Sequence, residues 1–79
     1  MAARSRPGST MDLRGTPCPL NWVRTKLRLE DMGPGAVLEV IVDSGEPARN
    51  VSRSVEVEGH RLLRATPVQG GVVLVIERG

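Results

Sequence analysis

Residues 36–43, AVLEVIVD, form a run of apolar, mostly β-branched side chains that only Glu39 interrupts before Asp43. Such a run, preceded by Gly33, Pro34 and Gly35, predicts a strand covered on both faces or nearly so. One short strand cannot supply its own cover, so the flanking segments must provide the neighbouring strands and the helical layer. Pro19 to about Met32 holds no internal Gly or Pro and is rich in helix formers, and the Gly-Pro-Gly stretch stops it. A second helix is expected from Pro47 to Glu58: proline suits a first helical position, Ala48, Val51 and Val55 recur at spacings of three and four, and Gly59 ends it. Arg61–Val68 and Gly71–Glu77 read as strands joined around Gln69, Gly70 and Gly71, a hairpin signal. Thr10–Arg14 reads as a short first strand with Met11 and Leu13 on one face. The order is βαβαββ. Two amphipathic helices and a four-stranded mixed sheet bury their apolar faces most simply as an α+β fold, a two-layer α/β sandwich.

Seventy-nine residues make one domain, too small for a deep enclosed active site, so any chemistry sits near the surface. Residues 1–10, MAARSRPGST, read as a flexible tail, and 11–79 as the folded domain. The tail lacks the apolar core of a signal peptide, and no stretch approaches the length of a membrane span. A single cysteine cannot close an internal disulfide, which favours a reducing compartment, the cytoplasm. Eleven Lys and Arg against nine Asp and Glu leave a net charge of +2. That balance, with one Trp and no Phe or Tyr to stack on bases, argues against a nucleic-acid partner.

The cysteine lies in GTPCPLNW, residues 15–22, between two prolines and directly before the first helix. With Pro19 as the first helical residue, Cys18 takes the cap position, where backbone N–H groups without helical partners and the helix dipole favour a thiolate. The bland alternative is a small apolar core residue. Dithiol redox chemistry fails for want of a second cysteine, and a structural zinc site fails because one Cys and one His fall short of four ligands. His60, the only histidine, follows Gly59 at a helix–strand junction and suits a surface or capping role better than that of a catalytic base. A thiol that receives a sulfur atom as a persulfide and passes it on needs no metal, no second cysteine and no histidine.

The stretch DLRGTPCPLNWVRTKLRLEDMGPGAVLEVIVDSGEP resembles the TusA/SirA-like sulfur carrier family, whose signature Gly-x-x-Cys-Pro-x-Pro precedes the first helix; the resemblance covers about Met11 to Glu77. It implies a two-layer sandwich in which Cys18 carries sulfur as a persulfide, with Pro19 its motif neighbour. It also implies that no cofactor is held beyond that covalent persulfide. The partners it implies are a sulfur donor protein, such as a cysteine desulfurase or a rhodanese-type sulfurtransferase, and an acceptor protein. The chain is then a relay of the sulfurtransferase type rather than a stand-alone enzyme. Asn21 stands where the family has its second motif proline. It restores a backbone N–H near the sulfur and brings a short polar side chain suited to capping.

The first helix carries two apolar stripes. Trp22, Leu29 and Met32, with Thr25 between them, form one and are assigned to the core, Trp22 included; Leu20, Val23 and Leu27 cluster roughly opposite. Either the second helix covers the latter three, or they form a docking patch beside Cys18. Arg14, Arg24 and Lys26 lie around the same end and suit an acidic partner or a persulfide anion, although solvated charge is the simpler reading. By resemblance, Lys26 matches a basic position in the family's helix and Asp43 an acidic one after the second strand, which makes both interface candidates. The rival reading is a non-catalytic protein- or RNA-binding regulatory module of the same fold.

Overall fold

The computed structural model describes residues 9–79. Of the expected tail, residues 1–8 lie outside the described residues, and Ser9 and Thr10 already belong to a strand. The elements are β1 (Ser9–Asp12), α1 (Leu20–Glu30), β2 (Val37–Val42), α2 (Glu46–Val57), β3 (Arg61–Val68) and β4 (Gly71–Glu77). The βαβαββ order expected from the sequence is the order observed. The four strands form one mixed sheet in the order β1-β2-β4-β3, with β1 parallel to β2 and the other two pairs antiparallel. The connections dictate this pairing. A helical crossover through α1 returns the chain parallel to β1, whereas the tight turn at Gln69 and Gly70, with Gly70 at φ +84°, reverses it between β3 and β4.

Both helices pack on one face of the sheet. Leu38, Val40 and Val42 of β2 and Leu74 and Ile76 of β4 meet Leu29 of α1 and Val51 and Val55 of α2, all buried. Strand pleating then sends Val37, Glu39 and Ile41 to the opposite face, where they are only half-buried. The run that suggested cover on both faces is therefore covered by helices on one. On the other, lateral neighbours give partial shielding, Val73 opposite Ile41 and Val75 opposite Glu39.

The buried stripe of α1 is Asn21, Thr25 and Leu29, at spacings of four. Trp22 and Met32 flank it and pack against the core while keeping part of their surface in solvent, so Trp22 belongs to the rim of the core rather than its centre. The buried Thr25 hydroxyl donates to the Asn21 carbonyl at 2.9 Å, which satisfies its polar group within the helix. At the far end of α1, Arg78 Nε donates to the Leu29 carbonyl at 2.7 Å, placing a cation at the negative end of the helix dipole. α1 stops at Glu30, two residues before the sequence suggests, because Met32 N donates to the Leu29 carbonyl in a tighter turn. Leu29 is fully buried whereas Leu27 is 57% exposed. Leu29→Ala is accordingly expected to cost about 2–5 kcal/mol, and Leu27→Ala no more than about 0.5 kcal/mol. Urea denaturation checks both, and equal costs would contradict this packing.

Candidate functional site

Between β1 and α1 the chain must leave the sheet edge and present residues 13–19 above it. Leu13 is buried and its amide donates to the Ile41 carbonyl at 2.7 Å, extending the strand pairing by one residue. Thr16 N donates to the Leu13 carbonyl at 3.1 Å and Gly15 takes φ +82°, a backbone conformation that only glycine adopts without strain. The Gly15 amide so exposed donates to Asp43 Oδ2 at 2.8 Å. Asp12 receives Arg14 three times, from the backbone amide at 3.1 Å, from Nε at 2.9 Å and from Nη2 at 2.6 Å. The side-chain hydrogen bonds from Arg14, then its backbone hydrogen bond, then its charge hold the Asp12 carboxyl down at about 2. Asp12 in turn raises the Arg14 guanidinium, with a smaller contribution from Asp43. Arg14 also lies against Gly70 and Gly71 of the hairpin turn, where a side chain at either position would meet it. Arg14 and Asp43, both expected to face a partner, thus have internal partners that fix this loop.

Cys18 is exposed on that loop. The helix cap is Pro19, at φ −93° and ψ 13°, so Cys18 precedes the cap by one residue instead of occupying it. The first-turn amides are also less free than the sequence suggests. Asn21 N donates to the Pro17 carbonyl at 3.2 Å and Val23 N to the Pro19 carbonyl at 3.0 Å. Trp22 N donates to Asn21 Oδ1 at 2.7 Å, so the Asn21 side chain does satisfy an orphan amide, but from a buried position. Its Nδ2 is buried without a hydrogen-bond partner among the described residues, at a cost of about 1–3 kcal/mol. The sulfur meets a different donor, Asn50 Nδ2 of α2, at 3.5 Å. Nothing in the sequence flags Asn50, which is separated from Cys18 by 32 positions and brought to it only by the packing of α2 beside α1.

Leu20, Val23 and Leu27 stay 45%, 41% and 57% exposed, so α2 does not cover them. They line a shallow groove of about 480 Å³ together with Met11 of β1 and Arg24, Arg28 and Asp31 of α1. Its near end, Leu20, is two residues from Cys18. Arg24 sits in this groove as expected, but Lys26 is half-buried and is not among its lining residues. Arg28, Met11 and Asp31 were not anticipated; Arg28 lies four positions after Arg24 and shares its helix face, a spacing that could have found it. His60 is remote from this chemistry: its Nδ1 accepts from the Gly79 amide at 3.0 Å and ties down the C-terminal end of the described chain.

A two-layer βαβαββ sandwich with one exposed cysteine at the start of its first helix defines a small thiol-presenting domain. The sulfurtransferase TusA family model matches residues 9–78, nearly the whole chain, and the protein belongs to that family. A candidate sulfur carrier protein from Archaeoglobus fulgidus is 47% identical over 58 residues, which are 73% of this chain and 66% of that protein. Another from Thermotoga maritima is 35% identical over 84% of each chain. The crystal structure of a SirA-like protein from Desulfitobacterium hafniense superposes with a TM-score of 0.78 at 28% identity, covering 90% of this chain and 97% of that one. Among the described residues no helix is long and apolar enough to cross a membrane.

The Asp12–Arg14 pair is exposed, yet it is bidentate and local, a geometry that resists solvent better than a single contact. Because the folded carboxyl sits below its ordinary value of 3.8, the pair contributes to stability above that pH, and the contribution is lost as pH falls through about 2. An NMR titration of the Asp12 carboxyl should give a midpoint near 2 in the native protein and one near 3.8 in Arg14→Met. Coincident midpoints would rule out the pairing in solution.

Proposed function

We propose that this protein is a sulfur carrier that relays sulfur as a persulfide on Cys18. The observation that carries this reading is the exposed Cys18 thiol in the family's motif, on a loop fixed by Asp12–Arg14 and Gly15–Asp43. In the loading step the Cys18 thiolate attacks the terminal sulfur of a donor protein's persulfide. The Cys18 Sγ–S bond forms as the donor's S–S bond breaks, and the donor cysteine leaves as a thiolate. Delivery is the same exchange in reverse, with an acceptor nucleophile attacking the terminal sulfur and Cys18 as the leaving thiolate. No net oxidation occurs, so neither a redox cofactor nor a metal is required.

Both exchanges need a second protein's sulfur brought into line with Sγ, which an exposed loop permits and an enclosed pocket would prevent. The groove of Leu20, Val23 and Leu27, with Arg24 at its rim, gives a donor or acceptor protein an apolar foothold beside the thiol. Arg24 favours partners that present carboxylates there. Lys26, Arg14 and Asp43 contribute less directly, Arg14 and Asp43 by holding the loop.

Incubation with a cysteine desulfurase and cysteine should add the mass of one sulfur atom to the intact protein, removable by reductant, and Cys18→Ser should abolish the addition. Asn21→Pro should load as the native chain does, because the Asn21 side chain is buried and its oxygen serves the helix start rather than the sulfur. An intact mass unchanged under conditions that load another carrier would refute the proposal.

A further inference from the structure

We infer that Asn50 is a second residue of the relay: its carboxamide holds the Cys18 sulfur and stabilises it in the anionic form in which it leaves during sulfur delivery. The inference rests on the persulfide reading of Cys18. Three observations support it. Asn50 Nδ2 lies 3.5 Å from Sγ and donates to it. Among the described residues no other side chain has a hydrogen bond or ion pair to that sulfur, and the nearby amides of Asn21 and Trp22 donate to Pro17 and Asn21 oxygens instead. Asn50 also stands on a rigid support, since the next residue, Val51, and Val55 one turn on are fully buried in the core.

The chemistry follows from the change in charge at Sγ. A neutral thiol is a weak acceptor, and so is the inner sulfur of a persulfide, whose charge resides on the terminal atom. When an acceptor nucleophile takes that terminal sulfur, the S–S bond electrons pass to Sγ, which becomes a full thiolate. A hydrogen bond from Asn50 strengthens at that moment, so it favours the transition state over the ground state. A better-stabilised leaving thiolate departs faster. During loading the same contact tempers the nucleophilicity of the attacking thiolate. Delivery is therefore the step on which Asn50 acts most. A neutral donor suits this position: a lysine would also hold the terminal persulfide anion and retard its departure, whereas a carboxylate would repel both anions.

The test uses Asn50→Ala and Asn50→Asp in the full chain, with thermal melting to show that each retains the fold. Reduction by dithiothreitol of a mixed disulfide between Cys18 and glutathione, prepared without any persulfide, should be slower in both variants than in the native protein. Release of sulfur from loaded Cys18 to excess dithiothreitol should slow roughly tenfold in Asn50→Ala, the size expected for one hydrogen bond to a charged group, and further in Asn50→Asp. Native rates of mixed-disulfide reduction and of sulfur release in a folded variant would overturn the role of Asn50 while leaving the relay intact. Failure of the native protein to load sulfur would overturn the relay itself, a result visible separately because the mixed disulfide needs no persulfide. Should Asn50→Asp unfold, Asn50→Ala alone decides.

Discussion

The hydrogen bond from the Gly15 amide to Asp43 Oδ2, 2.8 Å long, connects the end of the core strand β2 to the loop that carries the exposed Cys18. Asp43 directly follows β2, whose Leu38, Val40 and Val42 are fully excluded from solvent, so the carboxylate inherits the rigidity of the core. Gly15 can meet it only because its positive φ turns the amide toward β2. The loop is thereby pinned at its middle, with Leu13 buried on one side and α1 beginning on the other. Together with the Asp12–Arg14 contacts, this tie fixes the loop that carries Cys18. The thiol is thereby exposed on a braced loop, on a chain too small to enclose a cleft.

Presenting the thiol in this way divides labour among the charged residues. Asp12 and Arg14 neutralise each other at the base of the loop, and Arg24 lines the groove on the outer face of α1. The helix start is handled locally as well, by the Asn21 side chain accepting from the Trp22 amide. That arrangement leaves Asn21 Nδ2 buried without a hydrogen-bond partner among the described residues. The side-chain hydrogen bond to the sulfur comes from Asn50 of α2, so the relative placement of the two helices sets that contact.

Much of this was legible in the sequence because periodicity and punctuation report local structure. The Gly33-Pro34-Gly35 stop, Pro47 in the first turn of α2 and the Gly70 turn place the elements to within about two residues, the range over which helix ends fray. Cys18 stands out from its two flanking prolines alone. Periodicity could not report which of two adjacent residues is centred on the buried stripe. Trp22 is the larger apolar residue, yet the spacing of Asn21, Thr25 and Leu29 matches the line of contact with the sheet, and the polar groups at its first two positions are largely met within the helix. Nor could it show that Arg14 and Asp43 are occupied internally or that Asn50 meets the sulfur, because these contacts arise from loop geometry and from the packing of α2 beside α1.

The central claim is that Cys18 holds sulfur in a form another molecule can remove. Cyanide tests this directly, since it abstracts sulfur from a persulfide as thiocyanate and leaves an ordinary thiol untouched. Protein purified away from a desulfurase reaction should yield one thiocyanate per chain, and the same treatment of Cys18→Ser should yield none. Thiocyanate absent from the native chain, or released equally by the serine variant, would contradict the account.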